Sequence, residues 1–377
     1  MNKSLVPVVL LALFASHSHA TADDQHLIKF LLETGRVAPE GQGNAEVAVA
    51  FRMLVERGDP HEAVTGSLLE MRRASPRKLN WLRAVVDTFC ERAARSGDDE
   101  LAKSLEGFVK ARLQAPRARN LAFEWLVKLR PEARARLIPG MLDDPSVELR
   151  REAVAHRYAQ AEEAEKAGKK DTALAGYREV LNAARDEDQI EQVAEKLRVL
   201  GEKVDIPAHY GFLMTWQLVG PFDNTAKKGF AQVFAPENGV QIGADYSGKG
   251  GEAKWLEHTT PDEMGVVDLN KVLGKEKSVV YYAVHEFKSD EERDVELRLS
   301  TPNAWKLWLN GEFLNSREEY HRGTKLDHYT ESGRLKKGNN VILLKVCQND
   351  QAEAWAQKYN FRMRVCDATG AGIPRGK

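Results

Sequence analysis

Residues 304–312 read AWKLWLNGE. The first six alternate with the period of a strand and run into Asn310-Gly311, the strongest short-range hairpin signal. A tight two-residue turn needs positive φ at both central positions, and Asn and Gly accept it at least cost. Strand patterns lie on both sides. Upstream, Val295, Leu297 and Leu299 alternate with Glu296 and Arg298. Downstream, Leu335-Lys-Lys-Gly338 leads into a nearly continuous apolar run over residues 341–347. Together these predict an antiparallel β-sandwich in the C-terminal half. The period of two sends Trp305 and Trp308 to opposite faces. One belongs in the core, and the other needs a helix, a second sheet or a ligand to cover it.

The pattern extends outward from this hairpin. Residues 213–219 alternate, with Trp216 and Leu218 on one face. Residues 279–287 are rich in β-branched and aromatic side chains, a short strand fits residues 255–258, and a last one surrounds Met363. Six to eight strands with turns between them describe a sandwich or jelly roll. Before Pro207 the period is helical. Leu82, Val85, Val86 and Phe89 make one apolar stripe; Leu101, Leu105, Phe108, Val109 and Leu113 make another. Pro60, Pro76, Pro116 and Pro131 each stand near a helix start, where a missing N–H costs little. Short connections predict antiparallel helix pairs stacked side by side. The expected fold is therefore an α-helical, repeat-like region over residues 21–205, an antiparallel β-sandwich over 210–372, and a tail over 373–377.

The chain has 377 residues, 29% of them charged, with a formal net charge of −1. Nothing in that balance calls for nucleic acid or an anionic membrane. Local arginine groups, Arg117 with Arg119 and Arg130 with Arg134 and Arg136, read as solvated helix faces. Residues 1–20 have the plan of a signal peptide: Lys3, an apolar core over 5–14, and Ser18-His-Ala20 before the cut. That core is too short to span a bilayer. The mature chain is expected to be exported, to the periplasm or beyond the cell, with no integral span. The three cysteines read as buried free thiols. If the last two strands formed one hairpin, Cys347 and Cys366 would lie roughly 15 Å apart, too far for a disulfide.

Residues 142–154 (LDDPSVELRREAV) resemble a unit of the HEAT-like repeat family, in which an Asp-Pro turn opens a helix that packs on the preceding one. Residues 161–184 resemble a tetratricopeptide unit. The C-terminal half, through WQLVGPFDN at 216–224, WLNG at 308–311, YHRG at 320–323 and KVCQN at 345–349, resembles the last module of a family of exported bacterial proteins carrying HEAT-like repeats. That resemblance implies a galactose-binding-domain-like jelly roll, related in shape to the sugar-binding domains beside many glycoside hydrolases. It implies no activity and no ligand residues, because this fold hosts sugar binding, protein binding and purely structural roles alike.

No catalytic constellation stands out: GxSxG, HExxH and a Walker loop are all missing. The richest polar cluster is residues 318–329 (EEYHRGTKLDHY), expected as a long loop after the Asn310-Gly311 hairpin. Tyr320 offers a stacking face, and His321, Arg322 and Asp327 offer donors and acceptors, the combination a sugar ring requires. Trp355, in the loop between the last two strands, is either a second stacking platform or, the favoured reading, a plug over the core. These five are the candidate ligand-binding residues. No catalytic residue or metal site is assigned; His321 and His328 are a weak metal signal, and Asp223, Asp245 and Asp327 are the candidates for a structural calcium ion. The expected function is an exported, non-catalytic scaffold, with helices for an envelope protein and a sandwich for a carbohydrate. The alternatives are a carbohydrate-active hydrolase, an accessory subunit of one, or a structural envelope protein.

Overall fold

The computed structural model describes residues 22–374, so the signal peptide expected at 1–20 lies outside the described residues. The chain divides into two compact units between residues 160 and 161. Among the described residues no helix is long and apolar enough to cross a membrane.

The first unit is helical: α1 (Ala22–Thr34), α2 (Asn44–Arg57), α3 (Pro60–Glu70), α4 (Pro76–Ser96), α5 (Asp99–Lys110), α6 (Pro116–Leu129), α7 (Glu132–Leu137) and the start of α8 (Val147–Lys166). Pro60, Pro76 and Pro116 are first helical residues, as their position in the sequence suggests. Asp59, Ser75 and Asp98 cap α3, α4 and α5, each accepting from a backbone N–H three residues on. Successive helices pair, α1 with α2, α3 with α4 and α5 with α6. Alternate helices then stack: α1, α3 and α5 in one row, α2, α4 and α6 in the other. A repeated contact ties the second row. Trp81 Nε1 donates to Asn44 Oδ1 at 3.1 Å, and Trp125 Nε1 donates to Asp87 Oδ1 at 2.7 Å.

Two expectations change here. The second apolar stripe stops with α5 at Lys110, so Leu113 is not core but 93% exposed. Arg119 is not on a solvated face: its guanidinium is fully buried against Asp144, at 2.6 and 2.8 Å, and its Nε donates to the Val109 carbonyl. The Asp-Pro turn of residues 142–154 is thus an anchor for α6. Arg130, Arg134 and Arg136 do lie outward, paired with Asp99, Glu152 and Glu106.

The second unit carries three helices before its strands: α9 (Lys170–Ala183), α10 (Glu187–Val199) and α11 (Ile206–Tyr210). The period change near Pro207 marks the last of these, whereas the compact units part 45 or so residues earlier. The reason is packing: Arg198 on α10 pairs with Glu263, and Tyr210 on α11 lies under the Arg364 guanidinium.

The strands are β1 (Thr215–Asp223), β2 (Tyr246–Gly248), β3 (Gly251–Thr259), β4 (Val267–Asp268), β5 (Val279–Ser289), β6 (Arg293–Ser300), β7 (Ala304–Leu309), β8 (Glu312–Arg317), β9 (Tyr329–Leu335), β10 (Gly338–Gln348) and β11 (Asn360–Cys366). They form a seven-stranded sheet, β2-β3-β1-β5-β10-β7-β8, and a four-stranded one, β4-β11-β6-β9. All pairings are antiparallel. Asn310 and Gly311, at φ 53° and 81°, close the β7–β8 hairpin as read from the sequence. β10 and β11 fall in different sheets rather than one hairpin, and all three cysteines are buried and free.

Trp216, Leu218, Tyr281, Trp305, Leu307 and Leu344 meet Leu297, Leu299, Phe361 and Met363 between the sheets. The other face of the larger sheet is also apolar, with Phe222, Tyr282, Trp308, Leu343 and Cys347. The chain's own excursion between β1 and β2 packs on this face through Phe230, Phe234 and Val240, and Phe313 on β8 meets the Trp308 ring at 5.8 Å. Lys345 pins that excursion. Its side chain is fully buried, and Nζ donates to Phe230 O at 3.2 Å, Gln232 O at 2.6 Å and Glu237 Oε1 at 2.8 Å. Tyr282 also donates to Glu237. Burial pulls the Lys345 ammonium below the usual lysine range, while the Glu237 hydrogen bond acts the other way.

Candidate functional site

β1 ends, β5 and β7 begin and β10 ends at one edge of the larger sheet, and side-chain amides collect there. Asn224 follows β1, Asn303 precedes β7, and Gln348 and Asn349 finish β10. Strand ends leave backbone groups without ladder partners, and these amides take them up. Asn224 Nδ2 donates to Gln348 O at 2.9 Å and to Tyr320 Oη at 3.3 Å. Asn303 Nδ2 donates to Gln348 Oε1 at 3.1 Å, which also accepts from Asn349 N at 3.2 Å. All four amides are at most 1% exposed.

His321 joins this network from the 318–328 loop, at a positive φ of 57°. Its Nε2 lies 2.6 Å from Asn349 Oδ1, while Asn349 Nδ2 donates to Gln351 Oε1 at 2.7 Å. An amide oxygen only accepts, so Nε2 is the donor in this contact. Four buried polar atoms here have no partner among the described residues: His321 Nδ1, Asn224 Oδ1, Asn303 Oδ1 and Gln348 Nε2. Such groups are costly and are normally satisfied.

Trp355 sits beside His321. It belongs to a single turn, Ala354–Ala356, fixed by the buried Ala356, whose carbonyl accepts from Lys277 Nζ at 2.9 Å. The indole meets the imidazole nearly at right angles, 5.5 Å between ring centres, and is 62% exposed. The favoured reading of Trp355 as a plug over the core is therefore not met: the turn lifts the indole outward.

The remaining sequence candidates part company. Tyr320 packs on the apolar outer face of the sheet, and Lys227 lies 5.4 Å over its ring, so it has no free face for stacking. Burial raises its phenol above the usual range. The Arg322 backbone N–H holds Pro302 O at 3.1 Å, and its exposed guanidinium pairs with Glu319 at 3.1 Å. Asp327 belongs to the smaller sheet. Arg364 on β11 and Arg298 on β6 grip its carboxylate, with Arg364 Nε at 2.7 Å and Arg298 Nη1 at 2.8 Å. These two guanidiniums hold Asp327 below the usual carboxylate range against its burial. The loop is thus tied down at both ends, by His321 and by Asp327, and its polar residues face different partners.

Of the calcium candidates, Asp223 is bonded to Thr225 and Lys249, Asp327 to the two arginines, and Asp245 is exposed. His328 stacks on Tyr329 at 4.5 Å. Among the described residues no three His, Cys, Asp or Glu side chains are placed to hold a metal ion. The residues that sequence reasoning missed are Asn224 and Asn303, whereas Gln348 and Asn349 open the polar stretch 348–355 that the sequence sets beside Trp355. The available signal was an amide at the end of a strand pattern, in WQLVGPFDN.

No protein-family model and no curated protein matches the chain. Solved structures similar to part of it include a β-glucosidase from Kluyveromyces marxianus in complex with glucose, 11% identical, TM-score 0.26, covering 40% of this chain and 16% of that one. A second structure of that enzyme covers 46% and 21%, at 13% identity and TM-score 0.25. A GH31 α-xylosidase from Xanthomonas citri covers 41% and 16%, at 11% identity and TM-score 0.19. The chain spans about a fifth of these enzymes at most, and likeness at this level carries no argument about activity.

Proposed function

We propose that the chain is an exported, non-catalytic binding protein of the HEAT-like-repeat kind, whose β-sandwich takes a carbohydrate and whose stacked helices serve a protein partner. The observation that carries the first part is Trp355, an indole 62% exposed beside His321 and a set of buried amides with unspent valences. Sugars are bound by an aromatic face for the ring and by neutral donors and acceptors for the hydroxyls. The helical rows supply an extended surface of the sort that repeat proteins use for partners.

A glycan array with the full chain, followed by titration of any hit against Trp355→Ala, tests the reading. Losing an aromatic face of this kind costs about 1 kcal/mol, so binding should weaken roughly fivefold. The thermal midpoint should stay within about 1 °C of the parent, because the indole is outward. Absence of any glycan hit, or a hit indifferent to Trp355→Ala, would remove the carbohydrate from the proposal.

A further inference from the structure

A cleft of about 360 Å3 lies in the second unit where α10, α11 and the turn after β3 meet. Its floor is apolar: Ile190, Ala194 and Ile206 are buried, and Met264 is half-buried. Tyr210 also lines it. That side chain is 2% exposed, and its hydroxyl has no partner among the described residues. A buried hydroxyl without a partner is a standing cost, normally removed by a hydrogen bond. Arg364, 5.5 Å over the ring, holds the phenol in place.

The rim is acidic. Glu191 and Glu195 stand one turn apart on α10, a spacing at which like charges repel. Among the described residues neither makes an ion pair or a side-chain hydrogen bond, whereas the third carboxylate, Glu263, is paired with Arg198 at 2.9 Å. The charges of Glu187 and Glu191 reach the Tyr210 phenol and, after burial, help to raise it above its usual range. Arg198, three residues after Glu195, also lines the cleft, but its guanidinium is turned to Glu263.

We propose that this cleft is a second binding site, separate from Trp355, for a small organic ammonium ion. An ammonium carries three N–H donors and no acceptor. Glu191, Glu195 and the Tyr210 oxygen supply the three acceptors it needs, and Ile190, Ala194, Ile206 and Met264 take its apolar stem. A carboxylate ligand is repelled by the rim. A neutral alcohol leaves both charges uncompensated.

Isothermal titration of the full chain with hexylammonium tests this, with hexanol and hexanoate as controls. Hexylammonium should bind at least about tenfold more tightly than either control. Tyr210→Phe removes the hydroxyl alone. It should weaken hexylammonium binding about tenfold and leave the thermal midpoint equal or higher, since an unpartnered polar atom has gone. Glu191→Gln with Glu195→Gln keeps the shape and should abolish the preference for the cation. Trp355→Ala should change none of this. No binding of hexylammonium, equal binding of hexylammonium and hexanol, or undiminished binding by Tyr210→Phe would each overturn the site. A lowered midpoint in Tyr210→Phe would also do so, by making the hydroxyl structural.

Discussion

Replacing Asp144 by alanine should destabilise the helical unit by about 3–5 kcal/mol. The size follows from burial. The Arg119 and Asp144 side chains are 1% and 3% exposed, and two guanidinium N–H groups meet the carboxylate at 2.6 and 2.8 Å. Without the carboxylate, Arg119 keeps only its bond from Nε to Val109 O, and Ser146 N loses the Oδ1 that it meets at 2.8 Å. An unpaired charge then stays in the core, and that residual charge, more than the lost attraction, sets the cost. For a unit of this size the midpoint should fall by roughly 10 °C. Urea unfolding of the full chain followed at 222 nm measures it, because the helices dominate that signal. Arg119→Met with Asp144→Leu removes both charges and fills the space, so the double variant should recover most of the loss. A cost below about 1 kcal/mol for Asp144→Ala, or a double variant as unstable as the sum of its singles, would refute the reasoning.

Three further outcomes are expected. Burial, with Arg185 adding to it, lowers His209 from 6.5 to about 4, so the unfolded chain binds more protons between those values. Stability should then fall as pH drops through that window, by at most about 3 kcal/mol, and His209→Gln should flatten the slope; identical pH profiles in chemical denaturation would contradict it. A Cβ at Gly229 would stand 2.3 Å from the Asp223 carbonyl oxygen, whereas one at Gly323 meets nothing within 4 Å. Gly229→Ala should cost about 1–3 kcal/mol in thermal melting and Gly323→Ala almost nothing, and equal midpoints would reject the account of the covering excursion. A fragment of residues 161–377 should unfold cooperatively, while one of 210–377 should be weaker by at least the burial of Ile206, about 2 kcal/mol. Matching midpoints would show that α9–α11 contribute nothing to the sandwich.

Much of the sandwich was legible because its signals are local. Asn310-Gly311 specifies a turn by φ alone, and the alternation around Val295, Trp305 and Leu343 follows from the two-residue period of a strand. The Asp-Pro turn at residues 144–145 was visible too, but its partner was not. Arg119 looks like any arginine in a helix until α6 is set against the turn before α8. The candidate cluster at 318–329 shows the opposite failure. Its residues are neighbours in sequence, yet Asp327 faces the smaller sheet while His321 faces the larger one, because an irregular loop has no period that fixes where side chains point. Asn224, Asn303, Gln348 and Asn349 span more than a hundred residues and meet only because β1, β5, β10 and β7 lie side by side.

The sequence by itself determined the helical first half, the strands of the second, the prolines that open helices and the hairpin, since each is a matter of period or of one residue's φ. It also determined that Trp305 and Trp308 diverge. Only the tertiary structure decided that the chain's own excursion packs on the outer face of the larger sheet, pinned by a lysine buried in an apolar strand. Only it decided that Trp355 is open, that Tyr320 is not, and that α10 and α11 enclose a cleft with the sandwich. Burial depends on which surfaces meet across long separations, and no local pattern encodes that.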